Sequence, residues 1–268
     1  MNRAYVETTI LTNVLLKPGS KKQAAARSAL SRYEETLLPV YSIKEWKAGP
    51  LDHYFLRSRQ ARGNALPRIH PISNKRLESG PRSSQKGYFG RSVGSSCYAR
   101  PGRGGSPRRD LSRDEELADR YRLALASLIK RSWQKRRKVT TETIQDLECY
   151  TEAEPRIGKD GFYDLTPKEC ERDRECCLAE RLKANRDALV ALRASIPENS
   201  RRYEDKNRRK VLKQLINTPK ILLDRDQCRW LGDAVFAFFC PEDAVILTTN
   251  IGDHQRLAKA VGKRAEKP

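Results

Sequence analysis

Four acidic residues stand where an apolar run meets a helix pattern. In a parallel sheet such junctions lie at one edge, outside the carboxyl ends of the strands. Carboxylates gathered there repel one another unless a cation neutralises them, and Mg²⁺ and Mn²⁺ prefer carboxylate oxygens and water as ligands. The pattern therefore predicts a hard divalent-cation site, whose catalytic and metal-binding residues would be Glu7, Glu45, Asp233 and Asp253.

Each of these acids also has an ordinary structural explanation. Glu7 could be a surface residue at a strand end, and Asp233 could be a solvated helix residue. Glu45 and Asp253, expected in or just before a first helical turn, could favour the positive end of the helix dipole. Their matched positions on separate elements favour a shared metal site. His254 is interpreted as the first residue of a helix, with a proton donor or phosphate contact as the alternative.

The elements that would carry the acids alternate between strand and helix. This order indicates an α/β fold with a central parallel sheet and helices on both faces. Pro50 predicts a kink or break in the helix that carries Glu45. The predicted elements are strand Ala4–Val6, helices Ile10–Leu16 and Lys21–Tyr33, strand Thr36–Tyr41, a helix capped by Ser42, helix Arg225–Cys240, strand Ala244–Leu247 and helix His254–Val261.

The middle of the chain has a different composition. Residues 56–138 contain 22 of the 54 Lys and Arg residues but only 6 of the 34 Asp and Glu residues. We expect a core formed by residues 1–63 and 218–268 and an insertion at 64–217, with a basic Gly/Ser/Arg-rich loop (64–110) and a helical part (111–217). The excess positive charge favours nucleic acid as partner, over a merely solubilising segment. The expected contacts are Arg108, Arg109, Lys135, Arg136, Arg137 and Lys138.

Four stretches of the sequence resemble the signature regions of PIN-domain nucleases: YVETTILTNVLL, YSIKEW, LGDAVFAF and AVILTTNIGDHQRLAKAVG. The resemblance covers about the first 60 and the last 50 residues. It implies an α/β/α sandwich in which Glu7, Glu45, Asp233 and Asp253 bind Mg²⁺ or Mn²⁺, supported by Thr8, Thr249 and Asn250. The family's first acid is usually Asp, whereas Glu stands here. A competing register would align Leu11 with that acid, but the strand Ala4–Val6 favours Glu7.

The activity implied by the resemblance is metal-dependent hydrolysis of phosphodiester bonds by an endoribonuclease, either free-standing or the toxin of a toxin–antitoxin pair. A non-catalytic nucleic-acid-binding or complex-forming protein on a PIN scaffold is the alternative. The expected partners are RNA rather than DNA, an antitoxin or other protein, and a second copy in a homodimer. The sequence contains no run of about 18 apolar residues, so it predicts no membrane span. The odd number of scattered cysteines, 7, indicates a reducing cytoplasm.

Overall fold

The computed structural model describes residues 2–17, 19–51, 113–147, 156–157, 163–164 and 177–268. These residues fall into two compact units. The first lies within Met1–Trp46, Arg136–Ala153 and Pro167–Pro268, and the second within Lys47–Lys135 and Glu154–Thr166. The sequence-based division at residue 218 differs from this one, because residues 136–147 and the helices from residue 178 onward belong to the same unit as the sheet.

Besides a π-helical turn at Lys47–Leu51 that contains Pro50, the described residues form helices and strands in the following order. They are β1 (Arg3–Val6), α1 (Thr8–Leu16), α2 (Lys21–Leu30), β2 (Glu35–Pro39), α3 (Val40–Trp46), α4 (Arg113–Arg136), β3 (Glu142–Ile144), β4 (Arg156–Ile157), β5 (Tyr163–Asp164), α5 (Leu178–Lys183), α6 (Arg186–Ser195), α7 (Tyr203–Asn217), α8 (Arg225–Phe239), β6 (Ala244–Leu247), α9 (Ile251–Ala260) and β7 (Arg264–Glu266).

A five-stranded, all-parallel sheet forms the centre of the first unit, in the order β3-β2-β1-β6-β7. This confirms the predicted α/β class and the two apolar strands β1 and β6. Both are buried, as expected for strands of a parallel sheet covered on its faces. In their ladder Val6 stands opposite Leu247, so the residues that follow these two strands emerge side by side.

The core of the first unit joins the sheet to helices on both sides of the boundary expected at residue 218. Tyr5 of β1 packs on Phe236 of α8, with their ring centroids 4.6 Å apart. Leu192 of α6 and Leu212 of α7 are buried in the same cluster. Helix α7 packs against both α6 and α8. The apolar stripes of the helices after residue 178 therefore pack into the same core as the parallel sheet.

Two features around the sheet were not expected from the sequence. Ser42 does not cap a helix, because α3 begins directly after β2 at Val40 and the Ser42 hydroxyl donates to the Val6 carbonyl at 3.0 Å. Strands β3 and β7 were not foreseen in the sequence. They are the two edge strands, and each is only three residues long.

The second unit contains the π-helical turn, nearly all of α4 and the antiparallel pair β4–β5. The Lys47 ammonium lies 4.9 Å from the centre of the Trp133 ring. None of the described helices combines the length and the apolar character needed to cross a membrane. The basic loop at 64–110 lies outside the described residues.

Candidate functional site

Glu7 leaves the sheet directly after β1. Its backbone N–H donates to the Leu247 carbonyl at 3.1 Å, which holds it beside the end of β6. The side chain is buried, with 7% of the residue exposed. Its Oε2 atom accepts hydrogen bonds from the hydroxyls of Thr9 and Thr248, the latter at 3.2 Å. Glu7 is thus a buried carboxyl group oriented by one hydroxyl from the segment after β1 and one from the segment after β6.

The surroundings of Glu7 disfavour its negative charge. The pKa of Glu7 is raised from 4.5 to about 7, mainly by burial and also by the carboxylates of Glu45 and Asp233. The hydrogen bond from Thr9 opposes this shift without cancelling it. Three of the four predicted acids, carried by three separate elements, therefore act on one another electrostatically at the carboxyl edge of the sheet.

Glu45 lies in the last turn of α3, not in the first turn as predicted, because the helix begins five residues earlier at Val40. Its Oε2 atom accepts the hydroxyl hydrogen of Thr8 at 2.8 Å, so the predicted supporting residue Thr8 does orient an acid. Burial and the charge of Asp233 raise the pKa of Glu45, against the hydrogen bonds from Thr8 and Tyr41.

Helix α8 approaches this group closely at Gly232. A Cβ atom there would stand 2.3 Å from the Tyr41 hydroxyl oxygen and 3.6 Å from Oε1 of Glu45. Only a residue without a side chain leaves room for the Tyr41–Glu45 pair against the helix. The glycine before Asp233 is therefore part of the packing that brings Glu45 and Asp233 to the same place.

Asp233 is held by an arginine from α7. Nη2 of Arg208 donates to Oδ2 of Asp233 at 2.6 Å, while its Nε donates to the Trp230 carbonyl at 2.9 Å. Nε2 of His254 lies 3.7 Å from the other carboxylate oxygen of Asp233. The aspartate therefore faces a guanidinium and an imidazole in addition to the acids of the site.

Asp253 is paired with a second arginine. It lies inside the first turn of α9, which begins at Ile251, slightly earlier than predicted. Both Nη atoms of Arg202 donate to its two carboxylate oxygens, and Nδ2 of Asn250 donates to Oδ2 at 2.8 Å. The hydrogen bonds from Arg202 are the main reason that the pKa of Asp253 is held well below its usual range.

The loop after β6 links the acids through short polar contacts. The hydroxyl of Thr249 donates to the hydroxyl oxygen of Thr9 at 2.8 Å, and the Thr249 N–H donates to the same oxygen. The Asn250 N–H donates to the Thr248 hydroxyl at 2.9 Å. The predicted supporting residues Thr249 and Asn250 thus join the Glu7 and Asp253 junctions, although Thr249 acts through Thr9 and not on an acid directly.

His254 is almost fully buried and lies inside α9, so the prediction that it starts the helix is wrong by three residues. Its ring packs edge-on against Phe236 at 5.5 Å. Burial lowers the pKa of His254, against the attraction of Asp233. Within the described residues its Nδ1 atom has no hydrogen-bond partner. A neutral imidazole that packs in the core fits these contacts, which favours the structural interpretation over a phosphate contact.

Neither arginine pair was expected from the sequence. Arg202 and Arg208 lie in a region that was assigned to the insertion, and nothing in their local sequence distinguishes them from the other basic residues there. The buried carboxylate of Asp205 also meets an arginine: it accepts from the Ser200 hydroxyl at 2.8 Å and from Arg256. The start of α7 is thereby fixed against α9 by alternating positive and negative groups.

The donor chemistry of the acids fits a hard cation, because all four offer carboxylate oxygens and neighbouring carboxylates raise the pKa values of Glu7 and Glu45. Their present arrangement is not a finished cation site. In the part of the chain that the structure describes, no three His, Cys, Asp or Glu side chains are placed to hold one ion together. Guanidinium groups take the neutralising role at Asp233 and Asp253.

The structure describes four of the six predicted nucleic-acid contacts. Arg108 and Arg109 lie outside the described residues. At the end of α4 and just beyond it, Lys135, Arg137 and Lys138 are exposed, but Arg136 is buried. Arg136 is therefore unsuited to contact a phosphate, and the expectation for it is wrong because its side chain packs inward.

The resemblance to PIN-domain nucleases finds no independent support outside the sequence stretches that carry it. Comparison with protein-family models, with curated proteins and with solved structures gave no match.

Proposed function

We propose that this chain is a divalent-cation-dependent phosphodiesterase with a PIN-like α/β/α arrangement, acting on RNA in preference to DNA. The observation that carries the proposal is the gathering of Glu7, Glu45 and Asp233 at the carboxyl edge of a parallel sheet. These acids come from separate elements, and burial with mutual repulsion raises the pKa of Glu7 to about 7. A cluster that costs free energy in this way is typical of a site that binds a positively charged group.

When bound, Mg²⁺ or Mn²⁺ would supply a water of lowered pKa and would stabilise the charge on the attacked phosphate. Glu7, Glu45 and Asp233 would hold the cation. Thr8 and Thr9 keep the two glutamates in their orientations through the hydrogen bonds described above. Arg202 is half exposed, at 52% of its side chain, and is therefore able to turn from Asp253 towards a substrate phosphate.

A second candidate function is favoured by the arginine pairs. If Arg202 and Arg208 stay on Asp253 and Asp233, two acids remain neutralised without any cation. The chain would then bind nucleic acid, or an acidic protein such as an antitoxin, without cutting. The two functions differ in whether the protein binds Mn²⁺ at all.

The experiment that separates them combines calorimetric titration with Mn²⁺ and cleavage of labelled single-stranded RNA and DNA. The variant is Asp233→Asn. Its control is Asp243→Asn, which removes an exposed acid from the other end of β6, where it pairs with Arg3. The proposal expects Mn²⁺ binding and cleavage by the wild type and by Asp243→Asn, and loss of both in Asp233→Asn. A wild type that binds RNA but neither binds Mn²⁺ nor cuts would favour the second function.

A further inference from the structure

One surface beside the acids has features that the proposed chemistry does not use. Tyr203, the first residue of α7, is 67% exposed and therefore presents most of its ring to solvent. Its ring meets the half-buried ring of Trp230 in an edge-on contact, with 6.4 Å between centroids. These two residues form what we call the aromatic platform.

The platform is connected to both outer acids. Tyr203 directly follows Arg202, which holds Asp253. The Trp230 carbonyl accepts from Arg208, the arginine that holds Asp233. A ligand that lies on the platform is therefore next to the two guanidinium groups of the acidic site.

A row of positive charge leads away from the platform along the same face of α7. Residues separated by three or four positions share one face of a helix. Lys206, Lys210 and Lys213 are all exposed and follow Tyr203 at these intervals, and we call them the lysine stripe. From Tyr203 to Lys213 the helix rises by about 15 Å. Glu204, on the neighbouring face, is the exposed acid of this segment.

We propose that this face of α7 binds an unpaired nucleic-acid strand, with one base stacked on the aromatic platform and the phosphates following the lysine stripe. An exposed ring beside a line of cations matches the chemistry of a single strand, whose bases offer flat faces that a duplex keeps covered. An acidic protein would be attracted by the lysines but would gain little from the platform. The inference deepens the proposed function, because the strand would enter the acidic site at Tyr203.

The test measures binding of a fluorescent oligouridylate of about 15 nucleotides, in buffer with EDTA so that cleavage plays no part. Tyr203→Ala should weaken binding about 5- to 100-fold, whereas Tyr203→Phe, which keeps the ring, should stay within about twofold of the wild type. Replacing the three lysines of the stripe with Gln should lower the slope of log affinity against log salt by about 2. The matched control replaces the exposed Lys21, Lys22 and Lys267 with Gln and should leave the slope of the wild type nearly unchanged.

Three results would overturn the inference. The first is that Tyr203→Ala binds the single strand as tightly as the wild type, and the second is that Tyr203→Ala loses as much affinity for a duplex of the same length as for the single strand. The third is that the two triple variants show the same salt slope. A poly-glutamate peptide that binds as tightly as the RNA, and is sensitive to the lysine stripe but not to Tyr203, would identify a protein-docking face instead. Binding is measured in EDTA and cleavage in a separate assay with Mn²⁺, so the two proposals can fail independently. If the RNA binds as expected in EDTA but is not cut in Mn²⁺, only the proposed function is contradicted.

Discussion

Replacing Glu7 with Gln should stabilise the cation-free protein at neutral pH, although it removes a residue of the proposed site. The folded protein holds the Glu7 proton up to a pKa of about 7, whereas an ordinary glutamate releases it near 4.5. Between these values the folded chain binds more protons than the unfolded chain, so the free energy of unfolding falls as the pH rises. Above pH 7 the full cost of the buried charge remains.

The size of the effect follows from the same two values. Their difference corresponds to an upper limit of about 3 kcal/mol lost by the wild type between pH 4.5 and pH 7.5. Glutamine is uncharged and its carbonyl can still accept from Thr9 and Thr248. In urea denaturation the variant should therefore equal the wild type near pH 4.5 and exceed it by about 1–3 kcal/mol at pH 7.5.

The control is Glu242→Gln, which removes an exposed carboxylate before β6 and should leave the pH profile of the wild type unchanged. Addition of Mn²⁺ at pH 7.5 should reverse the order of wild type and Glu7→Gln, because the cation stabilises only the protein that keeps the charge. If Glu7→Gln were less stable than the wild type at every pH, with parallel pH profiles, the charge of Glu7 would not destabilise the fold.

Two further changes test the packing around the acids, both by urea denaturation. Gly232→Ala should destabilise the fold by about 1–3 kcal/mol, because its Cβ would stand 2.3 Å from the Tyr41 hydroxyl. The control Gly252→Ala has open space around it and should cost less than about 0.5 kcal/mol. Equal losses in the two variants would disprove the close approach at Gly232. Arg208→Met should cost about 3–5 kcal/mol, because the buried guanidinium of Arg208 pairs with Asp233 and with the buried Asp205. Arg202→Met should cost less than about 1 kcal/mol, because the side chain of Arg202 is half exposed. Similar losses in both would mean that burial does not distinguish the two ion pairs.

The central part of the fold could be predicted because its signals are local. The buried strands β1 and β6 read as short apolar runs, and the acids that follow them stand at the expected edge. Edge strands β3 (ETI) and β7 (RAE) carry polar or charged residues, so nothing in their own sequence indicates a strand. They form because a neighbouring strand offers its unpaired backbone groups, which is information from the tertiary structure.

The sequence indicated which acids stand at this edge of the sheet, but not the groups that pair with them. Val6 and Leu247 stand opposite each other at the ends of the paired strands β1 and β6, so the junctions that follow them lie side by side because the sheet is parallel. Arg202 and Arg208 reach the acids only because α7 packs on α8, and that choice of partner depends on apolar faces that would fit several surfaces equally well. The amphipathic pattern predicts a helix there but not its neighbour.

Charge at this edge of the sheet is compensated in two different ways, and this division has a consequence for cation binding. Glu7 and Glu45 accept hydrogen bonds from hydroxyl groups, and burial raises the pKa values of both, that of Glu7 to about 7. Near neutral pH a proton therefore shares the role of counter-ion at Glu7. Asp253 is matched by a guanidinium that holds its pKa low, so it stays charged. A divalent cation held by Glu7, Glu45 and Asp233 would have to displace a proton from Glu7, and it would gain Asp253 as a further ligand only when Arg202 leaves that carboxylate. Binding should therefore release protons near pH 7, and a polyanion that draws Arg202 away should strengthen it, which would couple the cation to the substrate.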